Sequence, residues 1–386
     1  MTPWRSRSYV DSGSTAGCDE TIVKNAAETG KMLLERTPGA PPIFTLKHLS
    51  QLTGVNYSFL RRCVERVESE PYRRFRIRKR QNPNEKKQRY RIICVPDPRL
   101  MAVHRWINTN ILQLVPPHAA SVAFGKGNNI AEAAANHCAS KWLIKLDIVN
   151  FFESISEQSV YHVFSRIGYQ PLIAFELARL CTRLGQPSYA RWSRRWSARS
   201  YRFEKISSYQ KEQLGHLPQG APTSPMLANL SMTAFDASIR QVANDFDLAY
   251  TRYADDLTFS TTSVEFNRNK SQTVIPKIYA ELLKYGFKPN LTKTKISSPG
   301  SRKVVLGLLV DGAEPRLTKK FRDNIRQHLY FINHPNIGPV QHANKKGFKS
   351  IYGLRNHVQG LIAHASQIDK EYANAAWEQF NHVLWP

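Results

Sequence analysis

Two adjacent carboxylates, Asp255 and Asp256, stand inside the run Leu248-Ala249-Tyr250-Thr251-Arg252-Tyr253-Ala254-Asp255-Asp256-Leu257-Thr258-Phe259-Ser260. Segments rich in Tyr, Thr, Leu and Phe flank them, so the run reads as two short strands joined by a tight turn that carries the acids. Neighbouring like charges are unfavourable unless a cation sits between them. A carboxylate-only site suits Mg²⁺, with Mn²⁺ as a substitute. A solvated Asp-Asp turn is the plainer reading. A third acid shifts the balance: Lys141-Trp142-Leu143-Ile144-Lys145-Leu146-Asp147 is an apolar strand ending in one carboxylate. If the two strands are sheet neighbours, Asp147, Asp255 and Asp256 meet. Three such acids hold two metal ions for in-line phosphoryl or nucleotidyl transfer.

These elements occur in a telling order. Asp147 is followed by Phe151-Phe152, then by Leu217-Pro218-Gln219-Gly220-Ala221-Pro222-Thr223-Ser224-Pro225, then by Tyr253-Ala254-Asp255-Asp256. The series resembles the palm of a reverse transcriptase, and from about residue 45 onward the chain resembles the retron reverse transcriptases. The resemblance implies an α+β right-hand polymerase. Its fingers would span 41–135 with a helical N-terminal segment, its palm 136–312 with an antiparallel sheet carrying the acids, and its helical thumb 313–386. Residues 1–40 would be a tail and a helix.

The resemblance also implies roles. Arg91, with Arg89 as a second candidate, lies where fingers contact an incoming dNTP. Phe151 or Phe152 forms the floor beneath the sugar and excludes a 2′-hydroxyl. Gln219 and Gly220 meet the template, Gly220 because a glycine lets backbone approach a base pair. Tyr253 is a candidate primer contact. Lys293, in Gly286-Phe287-Lys288-Pro289-Asn290-Leu291-Thr292-Lys293, is a candidate general acid for pyrophosphate or a phosphate contact. Retron enzymes carry Asn-Ala-x-x-His before the first catalytic strand. Here Ala133-Ala134-Ala135-Asn136-His137 keeps the Ala and His. They carry Val-Thr-Gly later; here Val305-Leu306-Gly307 keeps the Val and Gly. His137, Val305 and Gly307 are therefore candidate contacts to RNA.

Composition agrees with a polyanionic partner. The 386 residues hold 55 Lys+Arg against 30 Asp+Glu, a formal charge of +25, well above the 2–8 or so that solubility needs. Hydrophobic content of 41% is ordinary and ample for a core. No long apolar run or signal-peptide core is present, so membrane spanning is excluded from the reading and a cytoplasmic location expected. The five cysteines lack Cys-x-x-Cys spacing and read as reduced thiols.

Residues 1–20 read as a mobile tail and 21–38 as a helix. Residues 44–66 read as helix, turn, helix, a pattern shared with DNA readers but here assigned to the fingers. Tyr72 to Arg99 alternates Arg with Phe, Ile and Tyr, which gives two strands with one basic and one packed face. Helices are expected over 99–115, 129–140, 157–184, 224–243, 271–285, 318–331, 348–365 and 370–384. An insertion at 185–213 interleaves cations with rings: Arg191, Trp192, Arg194, Arg195 and Trp196 suit an RNA, DNA or protein contact.

The retron resemblance implies a cognate structured noncoding RNA (msr-msd), priming from a guanosine 2′-hydroxyl, and a branched msDNA that stays bound. It also implies a co-encoded effector protein in antiphage defence. Without an RNase H domain, template removal falls to a host RNase H. The alternatives are another bacterial reverse transcriptase, group II intron-like or a defence polymerase, and a catalytically silent RNA-binding scaffold. An intact Asp triad speaks against the scaffold.

Overall fold

Short polar side chains start many of the helices. Asp19, Thr45, Asn56, Asp97 and Ser156 each accept a backbone N–H from the first turn that follows, which satisfies donors that a helix start leaves open. The computed structural model describes residues 4–67, 70–78, 88, 90–185, 209 and 214–386. The chain begins with α1 (Ser6–Thr15), α2 (Glu20–Arg36), α3 (Leu46–Thr53) and α4 (Tyr57–Glu65). A hairpin of β1 (Tyr72–Arg78) and β2 (Tyr90–Pro96) follows, then α5 (Pro98–Asn110), α6 (Ile130–Ala135) and β3 (Trp142–Asp147). Next come α7 (Glu157–Ile167), α8 (Pro171–Cys181), α9 (Ser224–Ser231) and α10 (Thr233–Asn244). Strands β4 (Ala249–Tyr253) and β5 (Asp256–Thr261) lead to α11 (Arg268–Lys284) and β6 (Lys295–Ser297). Three two-residue strands, β7 (Val304–Val305), β8 (Leu308–Leu309) and β9 (Arg316–Leu317), precede α12 (Lys319–Asn333), α13 (Gly338–Lys346), α14 (Ile351–Ser366) and α15 (Lys370–Asn381).

The fold is mixed α and β, and among the described residues all the sheets are antiparallel. The central sheet has the order β4-β5-β3-β6. Directly paired residues of antiparallel strands share a face. One face therefore carries Leu146, Ile144, Leu257, Phe259, Tyr250 and Arg252, and its apolar members lie in the larger core, which runs from Leu33 to Phe287. The opposite face carries Asp147, Lys145, Asp256, Thr258, Ser260, Thr251 and Tyr253. A second core joins Ala134 and Leu143 to Val305, Leu308, Val310 and the C-terminal helices. Strand β3 thus touches both cores, through Leu143 on one side and Ile144 and Leu146 on the other.

A buried junction ties two distant stretches together. The carboxylate of Glu157, fully buried, accepts from Arg66 (2.6 Å), Arg179 (2.6 Å), the Thr182 hydroxyl (2.9 Å) and the Gly215 amide (3.2 Å). Arg183 and His216 exchange both backbone hydrogen bonds at 3.0 Å. The chain entering residue 186 is thereby fixed beside the chain leaving residue 213. Arg191, Trp192, Arg194, Arg195 and Trp196 lie outside the described residues, as does Arg89.

Several expectations change. The start of the chain is not a tail: α1 packs on α2, with Gly13 against Val23 and Gly30 beneath the Trp4 ring, and Tyr9 lies 5.1 Å from Phe44 ring to ring. Small residues at the crossing make the packing possible, and Ser-rich composition hid it. The long helix over 157–184 is two helices, broken where Gly168 adopts φ 118° before Pro171. The stretch 224–243 likewise divides at Met232. Helix α13 went unread because Gly338-Pro339 resembles a turn, although proline is tolerated in a first helical turn. The β1–β2 hairpin has no purely basic face: Phe75 and Ile77 share one side with Arg91, and Tyr90 and Ile92 share the other with Arg74, Arg76 and Arg78. These four apolar side chains are 41–50% exposed. Alternation was in phase along each strand but not across the pair.

Helices α3 and α4 do form a helix-turn-helix, with Gly54 at φ 68° in the turn. Leu46, Leu49, Phe59, Leu60 and Val64 bury its apolar side in the larger core. Cys18, Cys63, Cys94, Cys138 and Cys181 are free thiols. Among the described residues, no helix is long and apolar enough to cross a membrane.

Candidate active site

Asp147 closes β3, Asp256 opens β5, and the two are directly paired. Between β4 and β5 the chain reverses through Ala254 and Asp255, with Tyr253 opposite Asp256. Ala254 sits at φ 54°, a left-handed conformation that costs a non-glycine residue about 1 kcal/mol. The Asp255 carbonyl accepts from the Ile148 amide at 3.0 Å. The three acids therefore gather at one end of the central sheet. Burial first, then the charges of Asp256 and Asp147, push the Asp255 carboxyl up to about 6. Burial also raises Asp256; Lys145 opposes that rise and Asp147 adds to it.

Asp147 is buried and held by the segment after α11. The Asn290 amide donates to its carbonyl (2.8 Å) and the Asn290 side chain to Oδ1 (2.9 Å). Lys293 Nζ, itself half exposed, donates to Oδ2 at 2.6 Å. The donor set is oxygen-only and mutually repelling, which fits a hard divalent cation. Among the described residues no three acidic, His or Cys groups form a ready-made metal cage. An open site is what Mg²⁺ takes when substrate phosphates complete its shell.

Behind the turn lies a network that sequence reasoning left unassigned. Arg252 is fully buried and clasps Asp236 with two bonds, Nε to Oδ1 (2.8 Å) and Nη2 to Oδ2 (2.7 Å). Its Nη1 donates to the Asn229 side chain and to the Ala254 carbonyl, both at 3.2 Å. Tyr250 donates to Asp236 (2.8 Å) and Asn229 to the Ala123 carbonyl (2.7 Å). Arg252 carried no assigned role in the sequence. Its partners lie 16 and 23 residues upstream, beyond any local pattern. Lys145 was legible in principle, since it stands two residues before Asp147 on the same strand face.

His137 requires a correction. It is fully buried, with Nδ1 2.7 Å from the Ser260 hydroxyl and Nε2 2.6 Å from that of Thr251. It staples β4 to β5 from the acid-bearing face, and is not open to RNA. Burial first, then Lys145, lower its pKa to about 4. Val305 is likewise inside the second core, so its side chain is not an RNA contact either. Gly307 is exposed and, with Leu306, makes the two-residue turn between β7 and β8, both at positive φ (86° and 49°). The two partial family signatures meet in space: Ala134 and Val305 share the second core, and the Ala139 amide donates to Val310 at 3.1 Å.

Gly220, at φ 116°, lies against β2: an added Cβ would stand 2.9 Å from Ile93 Cγ2 and 3.1 Å from the Cys94 carbonyl. The neighbouring Gln219 carbonyl accepts from the Cys94 amide at 2.8 Å, and the Gln219 side chain is half-buried. Phe151 is buried in the larger core, 6.4 Å from Phe287 ring to ring, whereas Phe152 is half-buried. Tyr253 is half-buried, its ring 6.0 Å from that of Phe124. Arg91 is exposed opposite Ile77 on the hairpin.

Residues 77–321 match the family model described as reverse transcriptase (RNA-dependent DNA polymerase). The chain is 27% identical over 340 residues to the retron Ec86 reverse transcriptase of Escherichia coli, covering 87% of this chain and 93% of that protein. It is 33% identical over 288 residues to the retron Ec83 reverse transcriptase of the same species, covering 73% and 80%. A solved telomerase from Candida albicans, in complex with a telomeric RNA fragment, aligns over 88% of this chain and 72% of its own at 11% identity. Its TM-score is 0.40. On the span of the family match and the breadth of both retron relatives, the chain belongs to the reverse transcriptases, and among them to those of bacterial retrons.

Proposed function

We propose that the chain copies part of a structured noncoding RNA into DNA, priming on a 2′-hydroxyl and retaining the branched product, as a component of antiphage defence. The observation that carries the chemistry is the gathering of Asp147, Asp255 and Asp256 at one end of the central sheet, each raised or restrained by its neighbours. In this reading the central sheet and α7–α11 are the palm, the N-terminal helices with the β1–β2 hairpin are the fingers, and α12–α15 are the thumb. Asp147, Asp255 and Asp256 hold divalent cations, Mg²⁺ foremost. When bound, such ions lower the pKa of the attacking hydroxyl and neutralise charge on the phosphates.

The chain's own groups do the rest. Lys293, already on Asp147 and half exposed, is poised to bind a phosphate oxygen or to protonate departing pyrophosphate. Arg91 on the hairpin meets the triphosphate. Phe152 forms the floor beneath the sugar, since Phe151 is committed to the core. Gln219 and Gly220 bear on the template. The basic 185–213 segment serves RNA, DNA or the co-encoded effector, and host RNase H trims the template.

Two measurements test this reading together. The protein is expressed with its flanking genomic sequence, and its bound nucleic acid is sequenced before and after debranching. A single DNA joined through a 2′,5′ linkage to one structured RNA is expected. Primer extension on RNA by the purified protein should vanish in the Asp255→Asn/Asp256→Asn double variant. Mixed RNA without attached DNA, together with robust primer extension, overturns the retron-product reading. No extension by the wild type overturns the polymerase reading.

A further inference from the structure

We infer that Arg252 is a positioning residue: locked by Asp236, it holds the Ala254 carbonyl and so fixes the direction in which Asp255 points. The catalytic part of this inference rests on the polymerase reading above; the structural part does not.

Four observations carry it. The guanidinium is immobilised, because Asp236 takes it as a two-bond fork while Tyr250 holds Asp236 and Asn229 occupies Nη1. The same Nη1 reaches the carbonyl of Ala254, and Ala254 is the residue held at positive φ. The backbone of Arg252 is also fixed, its amide donating to Ala120 (2.7 Å) and its carbonyl accepting from Val122 (3.0 Å). Finally, the turn so held carries one of a pair of adjacent carboxylates, and carboxylates crowded together push apart. A β4–β5 turn bearing repelling charges on an unfavoured backbone needs tethers; the Ile148 amide supplies one from β3 at the Asp255 carbonyl, and Arg252 supplies the one on the β4 side, at the Ala254 carbonyl. A plain buried ion pair between β4 and α10 explains the Asp236 fork but not the donor on Ala254.

Four proteins test it: wild type, Arg252→Lys, Ala254→Gly and the double variant, each assayed for kcat, nucleotide KM and Tm. Lysine keeps the charge and loses the fork. Glycine adopts positive φ freely and removes the need for the tether. Arg252→Lys is expected to lower kcat per folded molecule by about 10- to 100-fold, as displaced catalytic groups do, with KM within about twofold. Adding Ala254→Gly should restore several-fold of that kcat. A kcat loss that only tracks the folded fraction, a pure KM effect, or no recovery in the double variant overturns the inference.

If Arg252→Lys does not fold, Asn229→Ala and Tyr250→Phe each remove one neighbour of the fork. Both should lower kcat with KM unchanged, and an unchanged kcat in both overturns it. If the wild type makes no DNA, the polymerase reading fails alone. Melting then decides the tether: Ala254→Gly should recover part of the Tm lost to Arg252→Lys, and strictly additive losses overturn it.

Discussion

Asp255 is the residue whose chemistry is most exposed to test. Its carboxyl sits near 6 against an ordinary 3.8. The folded chain therefore keeps this proton where the unfolded chain has lost it. This group's contribution to stability is fully present below about pH 4 and is lost as pH rises through about 6, by up to about 3 kcal/mol. His137, whose pKa burial lowers to about 4, gains stability over the same range, so the readout is the Tm difference between metal-free wild type and Asp255→Asn, which should move against the wild type as pH rises through that window. Added Mg²⁺ should restore the wild type at pH 7 and do little at pH 4.5. A pH-independent difference would mean that the acids do not crowd one another. Phe152→Val opens the half-buried ring position beneath the proposed sugar. Ribonucleotide incorporation should rise on the order of 100-fold relative to deoxynucleotide, the scale of discrimination a single apolar contact gives; Phe151→Val should instead lower Tm, because that ring is core. Residue types were the legible part of this site. The acids stood at strand ends in sequence, whereas Arg252, Asp236 and Asn229 found one another only through the packing of α9 and α10 on β4.

At the level of elements, the turn at Gly220 couples the β1–β2 hairpin to the central body. Glycine was expected there so that backbone might approach nucleic acid. What it approaches in the free protein is β2. Gly220→Ala places a methyl against Ile93 and the Cys94 carbonyl at a φ of 116°, a combination expected to cost about 2 kcal/mol or more. Ile93→Ala should relieve only part of it, because the Cys94 carbonyl remains; melting of the two single variants and the double checks this. The Asp-Asp hairpin and most helices were readable from period and punctuation, whereas the pairing of β3 with β5 entered only as a condition. The breaks at Gly168 and Met232 were not, and neither was the staple at His137, whose partners Thr251 and Ser260 lie more than a hundred residues away.

For the whole molecule, a formal charge of +25 makes binding to nucleic acid a salt-dependent property. If the interface neutralises 6–10 phosphates, affinity should fall roughly 10³- to 10⁵-fold between 50 and 200 mM salt. Arg74, Arg76 and Arg78 share one face of the hairpin with Tyr90 and Ile92. Substituting any one of them with Gln should weaken RNA and DNA alike and reduce the magnitude of the log–log salt slope by about one. Equal slopes for wild type and variants would remove the hairpin from the interface. Charge pointed to a polyanionic partner, but the division into two cores joined through β3 was not visible in the chain, because Leu143 and Ile144 are adjacent residues that serve different cores.

The Glu157 junction bears on how such a protein diversifies. It pins the chain before residue 186 and after residue 213 to one buried carboxylate, and between these anchors Tyr209 is buried in the larger core, its hydroxyl accepting from Arg61 at 2.9 Å and its carbonyl from Arg179 at 3.1 Å. Doubling the length of a connection closed in this way costs only about 0.6 kcal/mol. Descent can therefore exchange sequence and length between residue 185 and Tyr209 while the acidic turn stays as it is. A laboratory can do the same, grafting a foreign segment between residue 185 and Tyr209 to change what the protein associates with.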